Sequence, residues 1–397
     1  MGSNWKNIPL GNLITLQRGH DLPSQDRTEG CVPIMGSSGL TGWHNEVKMT
    51  GPGVVVGRSG NSMGVVSYSD SDFWPLNTCL YVTDFKGNDV RYIYYLLQQI
   101  DFDQFNSGSA QKSLNRNAVY PFEVYSTEDK DEQRAIAKLL SDFEEKVALN
   151  NQINQTLEQM AQTLFKSWFV DFDTVKAKMN NEQPEWMDAP FLSKEVASLF
   201  PEKLVESELG LIPDGWGVGE LSKLFELHRG FDLPKSKRQE GGYPVYAAGG
   251  YHGNHNEFKM EPPGIITGRS GVIGSVYLSL DKYWPLNTTL YVREFRACGP
   301  YYAYHLLRSL DLKSLNSGSA VPSLNRNFVH STSVCHPDSE ILAKFEKIVK
   351  PLFEKMVANN EQNKSLSELR DTLLPKLLSG EIDLENVQVE QAKALAE

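Results

Sequence analysis

The side chains best placed to do chemistry in this sequence are arginines, asparagines and serines set among glycines. Gly57-Arg58-Ser59-Gly60 follows the apolar run Val54-Val55-Val56 and reads as a turn presenting one long cation and one hydroxyl. Gly268-Arg269-Ser270-Gly271 presents Arg269 and Ser270 in the same way. The stretch 106–117 brings together Asn106, Ser109, Gln111, Lys112, Asn115 and Arg116, and its counterpart holds Asn316, Ser319, Asn325 and Arg326. Arg18 and Arg229 open one more shared motif. Arg, Lys, Asn and Gln are the types that hydrogen-bond base edges, and Ser, Lys and Arg those that hold phosphates, so these residues are the candidates for contact with DNA. Structural uses compete with that reading. Arg58 and Arg269 could pair with internal carboxylates, Arg18 and Arg229 with Asp21 and Asp232, and the stretch 106–117 could be a turn capped by its own Asn and Ser. His44 and His255 read as packed or capping rings, and Trp74 and Trp284 as core.

Covalent chemistry finds no comparable set. The sequence has no G-x-x-x-x-G-K-[ST] loop to cradle a nucleotide and no G-x-G-x-x-G after a strand. It also lacks the (N/D)-P-P-(Y/F) tetrapeptide with which amino-methyltransferases hold a target amine. The histidines are scattered, so neither H-E-x-x-H nor a Ser-His-Asp set can be assembled, and no metal site is expected. Glu144-Glu145-Lys146 has the E-x-K spacing of some nucleases, but its twin carries Phe353 in place of the first Glu. No catalytic residue is assigned.

The elements that must position the candidates occur twice. Arg18-Gly19-His20-Asp21-Leu22-Pro23 returns as Arg229-Gly230-Phe231-Asp232-Leu233-Pro234, and His44-Asn45-Glu46 as His255-Asn256-Glu257. After a one-residue loss, Trp74-Pro75-Leu76-Asn77-Thr78 returns as Trp284-Pro285-Leu286-Asn287-Thr288, and Ser113-Leu114-Asn115-Arg116-Asn117 as Ser323-Leu324-Asn325-Arg326-Asn327. Each repeat begins with short Val- and Tyr-containing strands between Gly, Pro and Asn turns, followed by one helix near 89–99, whose counterpart starts near Pro300. It ends in a long helix. Leu140, Phe143, Val147, Asn150, Asn154, Leu157, Ala161, Leu164 and Trp168 alternate steps of three and four, as does the series from Val349 to Leu377. Such a stripe predicts a coiled-coil seam, with Asn150, Asn154, Asn359 and Asn363 setting its register. Pro351 should kink the second helix or begin it anew. The expected division is a first head over 1–127, a helix over 128–170, a loop-rich linker over 171–206, a second head over 207–336, and a helix with a tail over 337–397.

Charge narrows the partners. The net charge is −11. By segment, the first head carries −2, the helix and linker −7, the second head +2 and the C-terminal part −4. The acidity therefore sits outside the heads, and a DNA surface would be a local patch on them. No apolar run is long enough to span a membrane. Cys31, Cys79, Cys298 and Cys335 form no CxxC pair and read as reduced thiols, so the chain is expected in the cytoplasm with no membrane partner.

Three stretches resemble the DNA specificity (S) subunits of type I restriction–modification systems. They are Glu208-Leu209-Gly210-Leu211-Ile212-Pro213-Asp214-Gly215-Trp216, the run from Glu132-Gln133-Arg134 through Leu164-Phe165-Lys166-Ser167-Trp168-Phe169, and Leu373-Leu374-Pro375-Lys376-Leu377-Leu378-Ser379-Gly380-Glu381-Ile382. The resemblance implies an α+β fold: two globular, strand-rich, mixed α/β target-recognition domains separated by two long helices packed as an antiparallel coiled coil with pseudo-two-fold symmetry. It implies that each recognition domain contacts one half of a split target in double-stranded DNA. Two methyltransferase (M) subunits, acting on adenine N6, and two restriction/translocase (R) subunits would be the partners. S-adenosylmethionine, ATP and Mg would belong to those partners, with no cofactor bound by this chain. The two heads are unusually alike for such a subunit, which points to a nearly palindromic target. Two other readings stand beside this one: an adaptor with duplicated heads that binds protein or glycan, and a nuclease.

Overall fold

The computed structural model describes residues 5–108, 111–180, 193–318, 320–382 and 384. The chain divides into two compact units, one of residues 1–150 with 361–397 and one of residues 151–360.

In the first unit the chain runs β1 (Trp5–Pro9), α1 (Leu10–Leu13), β2 (Thr15–Arg18), β3 (Val32–Gly36), β4 (Gly39–His44), β5 (Gly53–Gly57), β6 (Val66–Ser69), β7 (Trp74–Pro75), β8 (Cys79–Asp84), α2 (Val90–Gln98), α3 (Arg116–Val119) and β9 (Glu123–Thr127). Strands β2, β8, β5 and β6 form a four-stranded antiparallel sheet in that order, and β4, β3 and β7 a three-stranded one. In the smaller sheet β4 is an edge strand and β3 pairs with β7 in parallel. Strand β1 pairs with β9. Helix α2 forms where the sequence places it because Asp89 caps it, its carboxylate accepting from the Tyr92 N–H at 2.9 Å. Its buried face, Tyr92, Ile93, Leu96 and Leu97, covers the larger sheet around Val54, Val56 and Leu80.

A long helix, α4 (Lys130–Phe169, 40 residues), follows. After it come α5 (Asp173–Met179), α6 (Lys194–Ser198), β10 (Leu204–Ser207) and β11 (Gly210–Pro213). The second unit then repeats the order of the first with β12 (Gly217–Glu220), β13 (Phe225–Arg229), β14 (Tyr243–Ala247), β15 (Gly250–His255), β16 (Gly264–Gly268), β17 (Val276–Ser279), β18 (Trp284–Pro285), β19 (Thr289–Phe295), α7 (Pro300–Ser309), α8 (Arg326–His330), β20 (Ser333–His336) and α9 (Ser339–Leu378). Its sheets, β13-β19-β16-β17 and β15-β14-β18, reproduce the strand orders of the first unit. The duplication read from the sequence is thus a duplication of topology. It gives the strand-rich α+β class expected, two similar heads with a long helix between them.

Each long helix contributes to both units. In the first, Ile136, Leu140 and Phe143 of α4 share a core with Leu366, Leu373 and Leu377 of α9 and with α2. In the second, Ala161, Phe165 and Trp168 of α4 share one with Ile341, Phe345 and Val349 of α9 and with α7. Within each unit the two segments run antiparallel. Glu144 pairs with Arg370 at 3.4 Å and Asn150 Nδ2 donates to Asn363 at 2.9 Å in the first, while Asn359 Nδ2 donates to Asn154 at 2.8 Å in the second. The helices therefore bury more than a coiled-coil stripe. A second apolar face docks on the head, which is why Leu139 and Phe165, off the seam, are buried too.

The structure refines two expectations. Of the two outcomes expected at Pro351, a restart does not occur, because α9 continues through it. Pro351 and Lys347 are both exposed, so the carbonyl left without its intrahelical donor can be hydrated. The linker is not simply loop-rich: α5 and α6 lie within it, and Val175, Val196, Ala197 and Phe200 join the core of the second unit against Trp168 and Trp216. Its residues 181–192 lie outside those described. Among the described residues no helix is long and apolar enough to cross a membrane.

Candidate nucleic-acid interface

Four candidate residues of the first unit, Arg18, Arg58, Asn115 and Arg116, converge on one surface. Strand β2 ends at Arg18, the turn after β5 carries Arg58, and the segment entering α3 carries Ser113, Asn115 and Arg116. Together with Gln17, Leu80, Ser107 and Leu114 these line an open depression of about 650 Å³. Backbone bonds join its walls. The Leu114 N–H donates to the Arg58 carbonyl at 2.8 Å, the Gly60 N–H to the Lys112 carbonyl at 3.0 Å, and Ser59 bridges Ser113. A Cβ on Gly57 would sit 1.9 Å from the Ser62 carbonyl oxygen, so the turn needs glycine there to close.

The arginines are held by carbonyls rather than carboxylates. Arg58 Nη1 donates to the Asn77 carbonyl at 3.4 Å, and Arg116 Nη1 to the Leu16 carbonyl at 3.0 Å. In the second unit Arg269 Nε donates to the Asn287 carbonyl at 3.0 Å. Among the described residues Arg58, Arg116, Arg269 and Arg326 enter no ion pair. Among the described residues the internal carboxylate partner weighed for Arg58 and Arg269 is absent, and their charge has no neutralising partner there. Arg18 and Arg229 do pair with Asp21 and Asp232, at 3.7 and 3.2 Å, but all four side chains are exposed. Asn77 and Asn287 donate to the same aspartates.

Several candidates are occupied by the fold. Asn106 Oδ1 accepts from the Gly108 and Ser113 N–H groups, both at 3.0 Å, and Asn316 Oδ1 does the same with Gly318 and Ser323. Asn115 and Asn325 cap α3 and α8 by accepting from the N–H two residues on. These four side-chain oxygens close the loop. Lys112 is paired with Asp103 at 2.6 Å. Gln111 is exposed. Ser270 bridges Ser323 as Ser59 does Ser113. Ser109 and Ser319 lie outside the described residues.

The histidines pack. His44 Nδ1 accepts from the Thr28 N–H at 3.1 Å, and its ring meets Trp74 edge-on at 5.3 Å. His255 repeats this with Gln239 and Trp284. Both tryptophans are buried, with Lys48 and Lys259 over their rings. The E-x-K acids are also engaged. Glu144 accepts from the Tyr95 hydroxyl at 2.9 Å, and Glu145 pairs with Arg91 at 2.8 Å. Among the described residues no three His, Cys, Asp or Glu side chains are grouped to hold a metal.

One pair escaped the sequence reading. Arg27 and Arg238 lie under the β3–β4 and β14–β15 hairpins, with Arg238 Nη1 donating to the His252 carbonyl at 3.1 Å. A Cβ on Gly42 would lie 3.6 Å from Arg27 Nη1. The Nε of each arginine is buried without a hydrogen-bond partner. The signal was present, since 27 and 238 stand at the repeat offset of 211, like Arg18 and Arg229.

Comparison with known proteins identifies the family. Residues 2–159 and 213–368 match the model of the type I restriction modification DNA specificity domain. The chain is 29% identical to the type I restriction enzyme HindI specificity subunit of Haemophilus influenzae, over 82% of this chain and 85% of that one. It is 27% identical to a putative type I specificity subunit, S.MgeORF438P, of Mycoplasma genitalium, over 94% of each. The crystal structure of a type I restriction–modification S subunit from M. genitalium superposes with a TM-score of 0.58 at 22% identity, covering 94% of this chain and 96% of that one, a likeness of fold.

Proposed function

The chain belongs to the type I restriction–modification DNA specificity family, whose specificity subunits are non-catalytic, and from that premise we propose that each of its two units reads one half of a split target in double-stranded DNA. The observation that carries this is the repeated set of unneutralised arginines. Arg58 and Arg116 in one unit, and Arg269 and Arg326 in the other, stand at the surface of an acidic protein with no carboxylate partner among the described residues. Phosphates would supply the missing charge.

The two heads share a frame, so the half-sites are close to palindromic but not identical. The helices hold them at a fixed gap, centres roughly 34–36 Å apart, about one turn of DNA. The asparagines Asn150, Asn154, Asn359 and Asn363 fix the register that keeps this gap constant, because a slip would leave buried amides unpaired. Two methyltransferase subunits and two restriction subunits bind the chain and bring S-adenosylmethionine, ATP and Mg with them. The whole acts in the cytoplasm, where the host DNA is.

Co-expression with the methyltransferase subunit, followed by single-molecule mapping of methylated adenines in host DNA, tests the reading. A two-part motif with one fixed gap is expected. A stable complex that leaves no two-part motif would overturn it and favour an adaptor.

A further inference from the structure

The two units build the same hairpin, and on its edge strand they keep the inward residues and change the outward ones. Strands β4 and β15 each have six residues. Gly39, Gly42 and His44 return as Gly250, Gly253 and His255, and these are the glycines and the inward ring. The other three positions differ: Leu40 against Tyr251, Thr41 against His252, and Trp43 against Asn254. All six differing residues are exposed. Trp43 keeps 54% of its surface accessible and Tyr251 63%, unusual for such large rings in a protein of this kind.

Their placement is as specific as their variation. Both strands are edges of their three-stranded sheets. Both hairpins slip register next to the differing residues, between Ile34 and Met35 in the first and between Pro244 and Tyr246 in the second. A bulge of this kind bends an edge strand and re-aims its side chains. The hairpins also abut the arginine turns. A Cβ on Gly57 would lie 2.5 Å from the Ser37 carbonyl oxygen, and one on Gly268 2.9 Å from that of Ala248. A duplex phosphate held by Arg58 or Arg269 therefore brings base edges to the hairpin of the same unit, and a two-stranded β-ribbon fits the major groove.

Building on the reading above, we propose that the outer edges of the β3–β4 and β14–β15 hairpins discriminate bases, and that residues 40, 41 and 43 against 251, 252 and 254 make the two half-sites differ. Leu40 and Trp43 present an apolar edge suited to a thymine methyl group. His252 and Asn254 present donors and acceptors suited to a purine edge, with the Tyr251 hydroxyl donating to the Asn254 side-chain Oδ1 at 3.1 Å and so orienting the amide.

The test exchanges the edges in the assembled complex with methyltransferase and reads the methylated motif. Leu40→Tyr, Thr41→His and Trp43→Asn together should give the first half-site the second's bases where the two differ, making the motif more nearly palindromic. Tyr251→Leu, His252→Thr and Asn254→Trp should do the reverse. Thr41 Oγ1 donates to the Ile34 carbonyl at 3.1 Å, so the first exchange also removes a bond within the hairpin. If it unfolds the complex, Trp43→Asn alone serves and must alter the preference at one base position. If methylation is lost from a complex that still melts like the parent, selection from a randomised duplex pool reads the preference directly. Parental half-sites recovered from folded variants, or identical half-sites in the parent, would overturn the proposal. A parent complex with no two-part motif would instead overturn the function it rests on.

Discussion

Glu346→Gln should make the second unit more stable above pH 7 and leave it unchanged below pH 5. Glu346 reaches from α9 to the start of α7, where it accepts from the Tyr302 N–H at 2.7 Å. Gly299 leaves room for it, since a Cβ there would lie 2.2 Å from the carboxyl carbon. Burial raises the carboxyl from an ordinary 4.5 to about 7, against the pull of the Tyr302 and Tyr301 amides, which lower it. Between those values the folded chain holds a proton that the unfolded chain releases. Stability is therefore full below the unfolded value and is lost as pH rises through the folded one. A shift of that size corresponds to about 3 kcal/mol as an upper bound, at ~1.4 kcal/mol per unit. Gln can accept the same N–H and carries no charge at any pH. The assay is urea unfolding of parent and variant at pH 5 and pH 8, followed by tryptophan fluorescence. His305 in the same unit, pushed down to about 3 by burial, costs stability as pH falls below 6.5, but it does so equally in both proteins and cancels in the difference. Stability differences that are the same at both pH values would refute the reasoning.

Arg58→Ala and Arg269→Ala should each weaken DNA binding by the complex across sequences and reduce the slope of log affinity against log salt by about 1, as fluorescence anisotropy would measure. Neither should move the melting temperature much, because each arginine is anchored only to a carbonyl. Asn154→Leu strands a buried Asn359 amide and should cost about 1–3 kcal/mol, while the double change with Asn359→Leu should recover most of that in denaturant titrations. Trp168→Ala empties the centre of a ring cluster formed by Phe169, Phe200 and Phe345 and should cost about 3–5 kcal/mol by the same measurement. Gly57→Ala should destabilise the first unit and lower its melting temperature, because the Ser62 carbonyl already fills the space.

What could be read from the sequence was whatever depends on local pattern. The helix near 89–99 was legible because Asp89 caps it and its apolar residues share a face, and the one at Pro300 because proline opens helices. The stripe from Leu140 to Trp168 was legible because its period persists over many turns, and the duplication showed that both units share one topology. Features decided by tertiary contacts were not. The continuity of α9 through Pro351 depends on which side of the helix faces water. The short helices α5 and α6 are held by Trp168 and Trp216, both distant in sequence from part of what they cover. At the candidate interface, sequence gives residue types, and the fold adds which of their atoms already have partners. Asn106 and Asn115 suit base edges by type, yet the turn they sit in uses their oxygens. Arg58 and Arg269 looked equally able to pair with internal carboxylates, and only the fold reveals that carbonyls hold them.

The central claim is that each unit reads one half of a single target. Once the methylated motif is known, its most direct test is equilibrium binding of the assembled complex to four duplexes: the intact motif, each half-site scrambled in turn, and the gap lengthened by one base pair. The account predicts that each of the last three falls to non-specific affinity at fixed salt. A duplex with one half-site scrambled that still binds as tightly as the intact motif would contradict it.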